Sequence, residues 1–130
     1  MKISVIIPTY NGEATIIRAV SSVLLQTYKC DFELIICDDC STDKTIEFAR
    51  KMFYANSGHV GQTKELIIIN SETNSGGPNK GKNNGIKRAT GDYIAFLDQD
   101  DEWLPEKLSI QLKEDSDFIY SSYIKKHEKV

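Results

Sequence analysis

Lys2-Ile3-Ser4-Val5-Ile6-Ile7-Pro8-Thr9-Tyr10-Asn11-Gly12 opens with a run rich in β-branched residues, stops at a proline and passes into a turn. Such a run predicts a short buried strand over residues 2–7. Beyond it Ile16, Ala19, Val20, Val23 and Leu24 recur at three- and four-residue spacing, which puts one apolar stripe on a helix. Asn11-Gly12 supplies the turn and an N-cap, and Glu13 suits the positive end of that helix.

The same alternation repeats along the chain. Glu33 to Cys37 predicts a second strand, followed by a helix capped by Ser41, Thr42 or Asp43 and carrying Ile46, Ala49, Met52 and Phe53. Asn56 to Lys64 is a polar loop and Glu65 to Ile69 a third strand. Asn70 to Lys82, with Gly76, Gly77 and Gly81, predicts a long loop. A shorter helix with Ile86 and Ala89 follows, with Gly91 in the C′ position. Asp92 to Leu97 is a fourth strand, Asp98 to Glu102 an acidic turn, and Pro105 begins a helix carrying Leu108 and Leu112. Asp117 to Ser121 predicts a fifth strand. Strands alternating with helices give an α/β fold: an open, mostly parallel sheet with flanking helices.

Composition sets the outer limits. The sequence has 130 residues, 16 basic and 19 acidic, for a net charge of −3, with 40% hydrophobic and 27% charged residues. One domain over residues 1–124 with a charged tail at 125–130 is expected. The lack of basic excess speaks against nucleic acid as a partner. No apolar run reaches the length of a membrane span, and no leader pattern precedes the first strand, so a cytoplasmic location is expected. Cys30, Cys37 and Cys40 are an odd number without secretory context. Cys37-Asp38-Asp39-Cys40 has redox spacing, but carboxylates between the sulfurs disfavour a thiolate and no second pair completes a zinc site. Ordinary reduced cysteines are expected.

In an open parallel sheet, ligands bind beyond the carboxyl ends of the strands. Those ends carry Pro8-Thr9-Tyr10-Asn11, Asp38-Asp39, the Asn/Gly loop and Asp98-Gln99-Asp100-Asp101. Asp98 and Asp100, two apart in an extended backbone, share a direction, and a divalent cation between them would relieve their repulsion. Mg²⁺ or Mn²⁺ takes such oxygen ligands. An acidic loop capping the next helix accounts for the same residues equally well. Asp38-Asp39 reads either as an acceptor for a nucleobase N–H or ribose hydroxyl, or as a turn and cap. Tyr10 is a stacking surface or a loop anchor, and Lys82 a diphosphate partner or a solvated charge.

Together, Val5–Asn11, Ile36–Asp43 and Gly91–Asp101 resemble the family-2 glycosyltransferases, in the same order and at the same separation. The resemblance implies the GT-A fold, with a Rossmann-like nucleotide-binding half, and an inverting enzyme that uses a nucleotide-diphospho-sugar. By position it implies that Pro8, Thr9, Tyr10 and Glu13 line the nucleotide pocket. Asp39, with Asp38 beside it, would read the base, commonly uracil. Lys82 and Asn83 fall where the family has Arg-Asn near ribose and diphosphate. Asp98-Gln99-Asp100 would be the D-x-D motif, with Asp98, Asp100 and Asp101 for Mn²⁺ or Mg²⁺ and Asp98 and Gln99 at the donor. A UDP-sugar is the favoured donor, and a glycan or lipid-linked molecule the acceptor.

Lys82 departs from the family's Arg, and Cys40 from its small residue, often Gly. The family carries an acceptor site and general base further along, which nothing here matches. The chain therefore reads as a donor-binding part that transfers sugar poorly by itself, with an uncovered sheet edge that favours self-association. Two other classes compete: a catalytically silent nucleotide-binding or interaction domain, and a phospho-receiver-like module. The second needs its acidic pair after the first strand, where this chain has Pro-Thr-Tyr-Asn.

Overall fold

The computed structural model describes residues 1–56 and 62–113, so the expected fifth strand at 117–121 and the tail at 125–130 lie outside the described residues. Four strands, β1 (Lys2–Thr9), β2 (Asp31–Asp38), β3 (Lys64–Asn70) and β4 (Tyr93–Phe96), form one sheet in the order β3-β2-β1-β4. All three pairings are parallel. Helices α1 (Ile16–Leu24), α2 (Thr45–Ala55), α3 (Asn79–Arg88) and α4 (Lys107–Gln111) complete the described elements. The α/β expectation holds. No helix among the described residues is long and apolar enough to cross a membrane.

The strand period of two divides the core. Ile3, Val5, Ile7, Leu34 and Ile36 face α1 and α2, where Ile16, Ala19, Val20, Val23, Ala49 and Phe53 meet them. Ile6, Ile35 and Cys37 face the other way, toward the side carrying α3, with Ala89 packed against them. Ile86, expected on the inner side of α3, is exposed; Gly85 is buried instead. A Cβ at Gly85 would lie 2.7 Å from Ile6 Cγ2, so the missing side chain lets the helix rest on the strand.

Several boundaries shift for identifiable reasons. Pro8 does not end β1: it pairs with Cys37 of β2. The Ile6 carbonyl accepts from Leu97 N–H, so Pro8, two residues on, turns its missing N–H toward the β4 side, where the last paired residue is already Phe96. Helix α1 begins at Ile16 rather than beside Asn11-Gly12, because residues 12–15 form a separate turn closed by Thr15 and Ile16 N–H on the Gly12 carbonyl. Helix α3 begins at Asn79, so the loop after β3 is shorter than Asn70–Lys82. Its C-cap is Ala89; Gly91 lies beyond the helix and donates its N–H to Ser4 Oγ at 2.8 Å.

At the amino ends of the strands sits a buried carboxylate. Glu33 accepts from Ser4 Oγ at 2.6 Å, Thr90 N–H at 2.5 Å and Thr90 Oγ1 at 2.9 Å, and pairs with Lys2 Nζ at 3.1 Å. Burial pushes this carboxyl up, but these donors outweigh it and bring its pKa from 4.5 down to about 2. It thereby ties β1, β2 and the α3–β4 connection together, far from the carboxyl ends.

Two stability predictions result. A carboxylate with a depressed folded pKa stabilises above its unfolded pKa and loses that contribution as pH falls through the folded one. Glu33→Gln is expected to cost on the order of 2–3 kcal/mol at pH 7. It should also flatten the fall in denaturant midpoint between about pH 4.5 and 2. An unchanged acid limb would show that Glu33 is not its source. Gly85→Ala, which in an open helix gains up to about 1 kcal/mol, meets Ile6 here at an overpacking cost of about 1–3 kcal/mol. Urea unfolding should therefore show a net loss, and a stabilised variant would contradict this packing.

Candidate functional site

The carboxyl ends of β1 and β2 are joined by side chains that stitch one loop to the other. Thr9 Oγ1 donates to Asp38 Oδ1 at 2.8 Å, and Asp38 also accepts from Ser41 N–H at 3.0 Å and Ser41 Oγ at 2.6 Å. Thr9 and Asp38 are both buried, so they form the floor of the site and are bonded to one another beneath it. Asn11, at φ 45°, donates its N–H to Ser41 Oγ at 2.9 Å and accepts Thr42 N–H on Oδ1 at 2.9 Å. Gly12 N–H donates to Thr45 Oγ1 at 2.9 Å, and Glu13 N–H to Asp43 Oδ2 at 3.1 Å. Asp43 also accepts from Thr45 N–H and hydroxyl. Burial works against the Asp43 charge, but these hydrogen bonds outweigh it and hold the carboxyl below its usual range.

Asp39 stands at the rim. Its N–H donates to the Thr9 carbonyl at 2.8 Å, which fixes its backbone to β1. Both carboxylate oxygens accept from Ser75, from the N–H at 2.9 and 3.0 Å and from Oγ at 3.0 Å. The loop after β3 is thus pulled over the end of β2. Cys40 follows in the left-handed region, at φ 69°, a backbone conformation that glycine adopts more easily. Cys37 is buried, and burial pushes its thiol up to about 11; all three cysteines are free.

Helix α3 places Lys82 and Asn83. A Cβ at Gly81 would lie 3.3 Å from both Pro8 Cβ and Cys37 Cβ, so the first turn of α3 sits on the ends of β1 and β2. Lys82, expected at the end of the loop, is therefore helical, as is Asn83. Lys82 Nζ lies 3.9 Å from Asp98 Oδ1 and 6.0 Å from the centre of the Phe96 ring, while Asn83 is exposed.

Beyond β4 the chain turns sharply, with Asp101 N–H on the Asp98 carbonyl at 3.1 Å. Asp98, Asp100 and Asp101 are exposed and each offers a carboxylate oxygen within 4.8 Å of the others'. Desolvation first, then the charges of Asp100 and Asp98, raise the pKa of Asp101. Three oxygen donors at this spacing fit a small hard cation, whose charge would offset that repulsion. Gln99, between them, turns its amide to the Tyr10 backbone, accepting the N–H at 2.8 Å and donating to the carbonyl at 2.9 Å. The turn is braced from behind. Trp103 N–H donates to Ser22 Oγ at 3.0 Å, and buried Gln26 bonds the Leu104 carbonyl and Leu108 N–H at 2.7 and 3.0 Å.

Tyr10, Asp39, Lys82 and the three acidic residues thus gather at one rim, with Tyr10 46% exposed and free to offer its ring, while Pro8 is buried under the first turn of α3. Thr9 and Asp38 lie under that rim, and Glu13 contributes its backbone to the stitching. Sequence reasoning missed Asn11, Ser41 and Ser75 as the residues that hold the loops. Their only signal was a high density of short polar side chains after each strand.

Known proteins share this fold. The family model described as "Glycosyl transferase family 2" covers residues 4–121. A poly(ribitol-phosphate) beta-N-acetylglucosaminyltransferase of Staphylococcus aureus, TarS, is 42% identical over 102 residues, covering 78% of this chain and 16% of that protein. An Escherichia coli protein named UDP-Glc:alpha-D-GlcNAc-diphosphoundecaprenol beta-1,3-glucosyltransferase, WfgD, is 36% identical over 129 residues, 93% of this chain and 45% of its own length. The chain thus spans less than half of either relative. Among solved structures, TarS 1–349 in complex with UDP-GlcNAc superposes with a TM-score of 0.75 at 38% identity, covering 87% of this chain and 30% of that one. A Pyrobaculum calidifontis mannosyltransferase in complex with GDP-Man and Mn²⁺ gives 0.74 at 25% identity, covering 85% and 31%. A parallel sheet ending in one polar rim, an acidic turn after β4 and a family match over residues 4–121 lead to one conclusion: the chain belongs to glycosyl transferase family 2.

Proposed function

We propose that this chain is the donor-binding part of an inverting glycosyltransferase that uses a nucleotide-diphospho-sugar, with a UDP-sugar favoured. The observation that carries the reading is the convergence of Asp39, Lys82 and the Asp98–Asp100–Asp101 cluster on the rim where β1, β2 and β4 end. Asp39 supplies the acceptor for the N3–H of uracil, pre-oriented by Ser75, and Tyr10 offers an aromatic face to the base. Thr9 and Asp38 support that pocket from below. Pro8 and Glu13 border it, and Asn83 with Lys82 faces ribose and diphosphate.

Asp98, Asp100 and Asp101 would hold Mn²⁺ or Mg²⁺, whose positive charge stabilises the nucleoside diphosphate as it departs. Lys82, 3.9 Å from Asp98, adds a second positive charge on the same side. In the full reaction an acceptor hydroxyl attacks the anomeric carbon from the face opposite the diphosphate, and a general base takes its proton. None of the described residues of this chain is assigned to that base. The acceptor is a glycan or a lipid-linked molecule, and free thiols agree with a cytoplasmic, reducing setting.

Calorimetric titration with UDP tests the reading. Binding is expected to strengthen with Mn²⁺. In Asp100→Ala the Mn²⁺-dependent part should be lost, by about 10-fold or more. Asp39→Ala should weaken UDP by about 1–3 kcal/mol but leave the Mn²⁺ dependence intact, because it removes a base contact and not a metal ligand. A folded wild-type protein that binds UDP, GDP and dTDP no better than free phosphate would overturn the proposal.

A further inference from the structure

Gln99 lies between two of the clustered carboxylates, yet its side chain turns away from them. Its Oε1 accepts the Tyr10 N–H at 2.8 Å and its Nε2 donates to the Tyr10 carbonyl at 2.9 Å. A side-chain amide that pairs with both backbone groups of one residue reproduces a rung of a sheet ladder. It does so where the real ladder has stopped, because the last residue pair between β1 and β4 is Ile6 with Phe96. Past that rung the two segments have no backbone reason to stay together. The loop carries Tyr10 and the turn carries Asp98 and Asp100.

Gly12 gives the second, independent observation. A Cβ there would overlap Gln99 Oε1 and lie 2.7 Å from Gln99 Cδ. Any side chain at position 12 would therefore displace this amide. We propose that Gln99 is a positioning residue: it locks the acidic turn to the loop after β1 and so sets the distance between the base end and the diphosphate end of one bound nucleotide. The proposal rests on the donor-binding reading for its ligand, but the lock itself is a property of the free protein. It differs from a direct contact between Gln99 and the donor, in which the amide would face the carboxylates.

The test uses Gln99→Ala, Gln99→Glu, Gly12→Ala and the double variant. In the free protein, hydrogen exchange at the Tyr10 amide reads the lock and should accelerate at least several-fold in Gln99→Ala. Calorimetry then compares UDP with Mn²⁺ against uridine, which lacks the diphosphate. Gln99→Ala should weaken UDP with Mn²⁺ about 10- to 100-fold, with uridine changed by less than about twofold. Gln99→Glu keeps the acceptor for Tyr10 N–H and loses the donor, so it should fall between. Gly12→Ala should resemble Gln99→Ala and add nothing to it in the double variant, since the group it displaces is gone.

Unchanged Tyr10 exchange in Gln99→Ala would overturn the lock. Equal losses for uridine and UDP, or additive effects of the two substitutions, would overturn the positioning role. If the wild type binds neither ligand, the donor reading fails, and Tyr10 exchange alone still decides whether Gln99 joins the two segments.

Discussion

A strand bonded on both sides has no backbone left for a ligand; it can offer only the residues past its last rung. In this sheet every described pairing is parallel, so all four strands stop on the same side, and four separate connections are obliged to meet there. Register fixes how closely. Thr9 stands opposite Asp38, and their side chains bond directly, so the first and second connections leave the sheet already joined. β4 is shorter, ending opposite Ile6, and its connection has to be drawn back across the gap by Gln99.

The rim is therefore two-layered. Beneath lies a set of short polar side chains, Thr9, Asp38, Ser41 and Asp43, whose hydrogen bonds are made within the protein, with exposed Asn11 tying the first loop to the second at their edge. Above it stand groups with capacity to spare: the Tyr10 ring, the Lys82 ammonium and the acidic trio. The lower layer costs little entropy to order because its members are short, and its satisfied bonds allow Thr9 and Asp38 to be buried. Rigid support under exposed charges is what a site needs if it is to bind without first reorganising.

Much of this was legible in residue order. The four strands and the apolar stripes of α1 and α2 follow from periodicity, because burial on one face imposes it. The acidic turn was legible because three carboxylates within four residues repel one another unless a cation or a helix end offsets their charge. What stayed hidden depended on partners distant in sequence. Nothing near Glu33 announces that Ser4, Thr90 and Lys2 will surround it, and an alternating strand reads the same with that residue outside. Asp38 and Asp39 look alike in sequence, yet the pleat sends one beneath the rim and the other to Ser75. In α3 the weak apolar content made Ile86 the natural inward residue, whereas close packing on Ile6 required Gly85.

The strand order also has a consequence for how the molecule is made. β1 is the central strand for two neighbours, but β2 ends at residue 38 and β4 begins only at 93. On a ribosome adding about 5–20 residues per second, the β4 side of β1 waits roughly 3–11 seconds for its partner. Throughout that interval Ile3 to Ile6 present an unbonded, apolar edge to other nascent chains. The shortest described strand is thus the one that covers this edge of β1, and a slow codon or a stalled ribosome between positions 38 and 93 would prolong its exposure.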